Sequence, residues 1–401
     1  MVEKLMNVIR LFDEFKKASS VFFKMVGTYL TVFLSFDLTA QETGFTAQVN
    51  IEASHINNMF RTSNEVSDNA LTVVPMVTHQ SVLGKQILKT KYKGKYALYQ
   101  NNGDADYADH SLLFNMSLNH RHKVRSEFSI GYQEQIEQPG STNALTLDLD
   151  KFTQIKNKAF LAKFFVGNLQ SKGQIVGQYV SNKVQHVNNL QSFRDYNKNT
   201  ITGTFYYRAT PKTRALFEVS LANLAYQNSQ NFDLSNDQKI YFTGIEWNVT
   251  AMTSSIFKVG YQKAEYNDEQ LFDLSGLSYY LDIFWRPNTY TFFKIGASRA
   301  VRESAEQSSG GYISDDFNVS ITHDFRRNVN LSLGYGYIKY DFNNSQNRND
   351  NLQNLSIKLG YKIRRWLQLF TEYKSTKRAS NYIIYQYDAN NISLGIKALF
   401  N

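Results

Sequence analysis

Histidines and carboxylates are the residues here most able to do chemistry, and their spacing limits what they can do. His120 and His122 stand two apart, which on a β-strand places both rings on one face, as half of a metal site would need. No carboxylate cluster accompanies them, and their position beside a short turn, between Arg121 and Lys123, reads equally as a solvated basic corner. His323 and Asp324 are two parts of a hydrolytic triad, but no serine stands in a nucleophile setting to complete it. Asp104, Asp106 and Asp109 could surround a calcium ion in a loop, although solvated side chains explain them as well. Gly334-Tyr335-Gly336 and Gly310-Gly311 lack the following helix that a phosphate cradle requires. The sequence therefore predicts no catalytic residue, no metal and no cofactor, and the chain is not expected to be an enzyme.

The elements that carry the remaining charges have a period of two. Leu355, Ile357, Leu359, Tyr361 and Ile363 alternate with Ser356, Lys358, Gly360, Lys362 and Arg364. Val329, Leu331, Leu333, Tyr335 and Tyr337 alternate in the same way with Asn330, Ser332, Gly334 and Gly336. The rows Tyr279 to Trp285 and Tyr241 to Val249 repeat the pattern. Such alternation predicts strands with one apolar and one polar face. Glycine, serine, lysine, glutamate and asparagine on the polar face suit a wet interior, so the apolar rows are expected to face lipid.

This phase assigns Arg208, Glu218, Glu246, Lys258, Asp282, Lys294, Lys358, Lys362, Glu372, Lys374 and Lys397 to the lumen. Cations outnumber anions in that set, which predicts a positive lumen unless the charges pair across strands. The formal net charge of +9 does not point to nucleic acid, because the basic residues are spread along alternating strands and not gathered in an arm or helix.

Connections and composition complete the architecture. Tight turns near His122-Lys123, Leu169-Gln170, Thr210-Pro211, Ala251-Met252, Arg286-Pro287-Asn288, Arg326-Arg327 and Arg364-Arg365 alternate with longer polar loops, such as Gln135 to Lys156 and Val187 to Tyr196. That asymmetry marks an outer-membrane barrel, with short periplasmic turns and longer outer loops, and it places Gly140 and Gly310 on loops that reach the medium. Negative mean hydropathy with 26 Tyr and 29 Phe among 401 residues suits a barrel apolar only on its outside. No apolar run after the N-terminus is long enough for a spanning helix.

The fold class is thus all-β, a transmembrane antiparallel up-and-down barrel of about eighteen strands between Phe45 and Phe400, in the bacterial outer membrane. Sixteen also fits, because the alternation weakens from Ile56 to Gln100 and from Leu145 to Phe160. Residues 1–40 read as a signal peptide: Lys16, Lys17 and Lys24 precede the apolar Met25 to Leu34, and Ala40 precedes Gln41. Residues 41–401 form one barrel domain. Trp285, Phe325, Trp366 and Phe400, beside short turns or the end of the chain, are expected in an aromatic girdle at the lipid interface. Ser393-Leu394-Gly395-Ile396-Lys397-Ala398-Leu399-Phe400 resembles the terminal signal read by the barrel assembly machinery, an expected partner beside outer-membrane lipids.

From about Ser192 onward the chain resembles the β-barrel porin type 2 family. The similarity rests on Phe193-Arg194-Asp195-Tyr196, Arg208-Ala209-Thr210-Pro211, Gly244-Ile245-Glu246-Trp247, Trp285-Arg286-Pro287, Thr322-His323-Asp324-Phe325, Arg348 with Asp350, Arg365-Trp366, Arg378 with Ser380, and Tyr387 with Asn390. The resemblance implies a pore or conduit in exopolysaccharide or capsule export, with an anionic polysaccharide and a periplasmic export protein as partners. A diffusion porin, which needs only a constriction loop folded inward, is the alternative, and a surface structural or adhesive barrel is a third reading.

Overall fold

The computed structural model describes residues 43–120, 123–141, 151–188, 190–228, 233–250, 252–304, 310–342 and 347–400. The predicted export segment and His122 lie outside them. The described chain forms eighteen strands: β1 (Gly44–Ile56), β2 (Asp68–Leu83), β3 (Gln86–Tyr99), β4 (Tyr107–Asn119), β5 (Val124–Ile136), β6 (Gln154–Val166), β7 (Gly173–His186), β8 (Tyr196–Thr210) and β9 (Thr213–Tyr226) make the first half. The second half is β10 (Asn236–Thr250), β11 (Thr253–Tyr266), β12 (Leu274–Trp285), β13 (Thr291–Glu303), β14 (Gly311–Arg326), β15 (Val329–Phe342), β16 (Asn349–Arg364), β17 (Leu367–Ser380) and β18 (Tyr387–Phe400). Each strand pairs antiparallel with its neighbours in the chain, and β1 also pairs with β18. The sheet is therefore a closed barrel with no free edge.

Strands β2 and β3 decide the count between sixteen and eighteen. They meet at Gly84-Lys85, where a φ of +62° at residue 84 needs glycine. Two-residue links also join β8 to β9, β14 to β15 and β16 to β17. The opposite end carries longer connections, including residues 57–67, 137–153 and 187–195. These ends are called the turn end and the loop end below, and the loop end faces outward by the usual asymmetry of such barrels.

Pairing register fixes which side chains face out, because a slip of one residue would exchange the faces. Along β16, Leu355, Ile357, Leu359, Tyr361 and Ile363 are all exposed, and they alternate with the half-buried Ser356 and Lys358 and the buried Gly360. A row of exposed leucine, isoleucine and tyrosine is stable only against lipid. Leu359→Arg is accordingly expected to cost about 2–4 kcal/mol in unfolding from lipid vesicles, whereas Lys358→Ser on the other face should cost far less. Equal losses at the two positions would mean that the faces are reversed.

The buried apolar core is small and lies inside the barrel near the loop end. Met59, Ala70, Ala97, Tyr99, Ala105, Ile136 and Phe152 pack together there, with Ile56, Phe60, Val66 and Tyr107 around them. This cluster joins the wall of β2 to β5 to Phe152, just before β6. It is the foundation of the site described next.

Candidate functional site

Three of the four acidic members of the predicted lumen set lie beside basic partners on other strands. Glu218 lies 2.9 Å from Lys258 and also accepts from Thr204 Oγ1 at 3.2 Å. Glu246 lies 2.5 Å from Arg214, which donates to Gln174 as well. Glu372 sits between Lys358 at 3.3 Å and Lys374 at 3.1 Å, and Asp282 accepts from the Tyr280 hydroxyl. Much of the predicted lumen charge is thus locked in pairs that brace neighbouring strands. Arg208, Lys294, Lys362 and Lys397 face the same way but form no ion pair among the described residues. Lys294 instead lies over the Phe284 ring at 5.4 Å.

β3 carries cations that the sequence reading missed. Lys89, Lys91, Lys93 and Lys95 occupy four successive inward positions, each about 6.6 Å further along the strand. Their cross-strand partners on β2 are Gln80 for Lys89, Thr78 for Lys91 and Met76 for Lys93. On β4 the partners are Asn115, Leu113 and Ser111. None of the lower three is opposed by a carboxylate on either neighbouring strand, and only Asp109, diagonal to Lys93, acts on that lysine, so the row is a positive track with little compensation. Only Lys95, at its upper end, faces an acid, Asp109, and its ammonium donates to the Tyr107 hydroxyl. The signal was present as Lys89-Thr90-Lys91-Tyr92-Lys93-Gly94-Lys95, an alternation of period two.

Above this track the described residues on the β5 side (137–141) and the β6 side (Phe152) of the connection turn inward. Phe152 packs against Tyr107, Tyr99 and Phe60, with ring centroids 5.7, 6.0 and 5.5 Å away. Residues 137–141 reach the far wall of the mouth: the Tyr387 hydroxyl of β18 donates to the Gly140 carbonyl at 2.9 Å, and Arg378 of β17 donates to the same oxygen at 3.3 Å. Arg61 holds the Pro139 carbonyl at 3.3 Å. Glu137 receives both terminal nitrogens of Arg194, at 2.6 and 2.9 Å, with both side chains buried. A side chain at residue 140 would come within 2.7 Å of the Tyr387 ring, and its φ of +64° favours glycine. The expectation that Gly140 reaches the medium is therefore corrected: the residue is packed against the inner wall. Gly310 is also packed, its carbonyl accepting from the Tyr266 hydroxyl at 2.6 Å.

A buried ion triad supports this seat. Asp350 of β16 is fully buried between Arg348 and Arg378; Arg348 Nη2 donates to it at 2.6 Å and Arg378 Nε at 3.1 Å. The Arg348 guanidinium also stacks on Tyr385 at 3.3 Å and on Phe342 at 4.2 Å. Asp195 accepts from the backbone N–H of His186 at 2.7 Å. Arg194, Asp195, Arg348, Asp350, Arg378 and Tyr387, quoted above as separate motifs, thus converge on the loop end, where Arg194, Arg378 and Tyr387 hold the inward segment directly.

The remaining candidates do not assemble. His323 faces outward, near Phe325 and Tyr290, while Asp324 occupies the alternate, inward position, so the two cannot act as a dyad. Asp106 is occupied by the Tyr99 N–H and Asp109 by the Ile136 N–H, and no metal-binding group occurs among the described residues. Trp285, Phe325, Trp366 and Phe400 are all exposed at the turn end, with Trp285 stacked on Phe293 at 4.8 Å.

No curated protein matches the sequence. In fold the chain is similar to the outer membrane protein opdK from Pseudomonas aeruginosa, at 11% identity over 89% of this chain and 99% of that one, with a TM-score of 0.48. It is also similar to a BenF-like porin from Pseudomonas fluorescens Pf-5, at 10% identity over 89% and 99% of the two chains and the same TM-score. The siderophore receptor PirA from Acinetobacter baumannii follows at 11% identity, 90% and 81% coverage and a TM-score of 0.45. A family match reaches well beyond the segments from Ser192 onward and covers residues 44–400, from the first strand of the barrel to the last, so the chain belongs to the outer-membrane β-barrel family described as Putative beta-barrel porin 2.

Proposed function

We propose that this barrel is a diffusion porin for small anionic solutes, in preference to a conduit for polysaccharide export or a surface adhesive barrel. The observation that carries the reading is the seat of residues 137–141 across the loop-end mouth, held by Arg194, Arg378 and Tyr387. Barrels of sixteen to eighteen strands enclose an aqueous channel unless something narrows it. Here Glu137, Gly140 and Phe152 are tied to three different parts of the wall, an arrangement that narrows the mouth and favours small solutes over a hydrated glycan. The lysines of β3, which outnumber the single acid Asp109 beside them, lie below that seat and supply the sign of the preferred solute.

The reading is tested by two measurements on the same protein. Liposomes that contain the purified barrel should admit small carboxylates quickly and exclude anionic oligosaccharides of several residues. Deletion of the gene should leave cell-surface and secreted polysaccharide unchanged. A loss of polysaccharide on deletion, restored by the intact gene, would overturn the porin reading in favour of export.

A further inference from the structure

On the outer face of β6 and β7, near the loop end, Lys158 and Lys183 are direct cross-strand partners. Residues so opposed hold their Cβ atoms about 5 Å apart, and like charges there repel. The other cross-strand neighbours are neutral, Tyr132 for Lys158 and Asn197 for Lys183. Neither ammonium has a carboxylate partner among the described residues. The nearest acid on this face, Glu134, is already held by Lys156 at 3.3 Å and by the Tyr132 hydroxyl at 3.0 Å.

The hairpin of β10 and β11 repeats this arrangement with one difference. Lys239 and Lys263 oppose each other directly there, and Glu265, two residues nearer the loop end, lies 2.7 and 2.8 Å from their ammonium groups. Asp273 adds a second contact to Lys263 at 3.3 Å. The position on β7 that corresponds to Glu265 is Gln185, which faces Lys156. One opposed lysine pair is thus neutralised from within the barrel and the other is left open.

We propose that Lys158 and Lys183 hold a phosphate of an outer-leaflet glycolipid. The pair lies one outward step above Phe160 and two above Tyr179, whose rings are 6.3 Å apart, at the height where an aromatic row gives way to headgroups. A phosphate monoester carries more than one negative charge near neutrality and matches two ammonium groups better than a singly charged phosphodiester does. Gln185 and Asn197 add neutral donors beside it.

The test uses the full barrel in neutral detergent, titrated separately with bis-phosphorylated lipid A, phosphatidylglycerol and phosphatidylcholine and followed by native mass spectrometry. Lipid A should bind in preference to the other two. Its retention should fall at least fivefold in Lys158→Gln/Lys183→Gln, and by a similar factor in Gln185→Glu, which supplies the missing carboxylate while leaving both lysines in place. Circular dichroism and single-channel conductance, which report on folding and on the pore, should not change. Retention of lipid A unaltered in both variants would overturn the proposal, as would phosphatidylglycerol bound as tightly as lipid A by the unmodified protein.

Discussion

Replacement of Lys89, Lys91 and Lys93 together by glutamine is expected to remove most of the preference of the pore for chloride over potassium. These three ammonium groups face neutral partners on both neighbouring strands, and only Asp109, near Lys93, offsets part of their field. Potentials in narrow, low-dielectric clefts reach several kT, and each kT changes the anion-to-cation ratio by about sevenfold, since it favours one ion while it disfavours the other. Reversal potentials in planar bilayers under a potassium chloride gradient should therefore move most of the way to zero in the triple variant. By contrast, Lys258→Gln or Lys358→Gln removes one member of an existing ion pair and should shift the potential less. A triple variant as selective as the parent, or a parent that prefers potassium, would exclude the β3 track.

The contrast between these two groups of lysines also shows what the sequence could reveal. Alternation between Leu355 and Arg364 determined the face of every side chain in β16, because period two leaves only two phases and only one of them puts leucine in lipid. It could not determine pairing, which depends on the register between strands. Glu372 meets Lys358 because the two are direct cross-strand partners, a relation that neither strand encodes alone. The lysines of β3 escaped for a different reason: the outward row of β3 and β4 includes Thr90, Gly94 and His110, which blurs the apolar face that identifies a strand. The inward turn of residues 137–141 was legible only as a long polar loop, since its direction is set by Arg194, Arg378 and Tyr387, all distant in sequence. The family motifs that contain those three residues pointed to important positions without showing that they serve one segment.

Asp350→Asn is expected to cost about 3–5 kcal/mol of stability, the usual result when a buried ion pair loses one partner. Arg348 and Arg378 are almost wholly inaccessible to solvent, and the neutral amide would withdraw the carboxylate charge that the two buried guanidinium groups share. The loss should appear as a lower urea midpoint in lipid vesicles. The same substitution frees Arg378, which also holds the Gly140 carbonyl, so single-channel conductance should rise as the inward segment loosens. Gly140→Val separates the two effects. It removes no charge, but it forces a β-branched side chain into a left-handed φ and against the Tyr387 ring, which should expel the segment while the triad remains intact. Conductance about twofold or more above the parent, with an unchanged urea midpoint, is the expected result for Gly140→Val. Tyr387→Phe, which loses the hydroxyl's bonds to the Gly140 carbonyl and to Arg61, each worth about 1 kcal/mol, should fall between the parent and this variant. If Gly140→Val conducts no better than the parent, the segment does not limit the flow, and the narrowest part of the pore lies elsewhere.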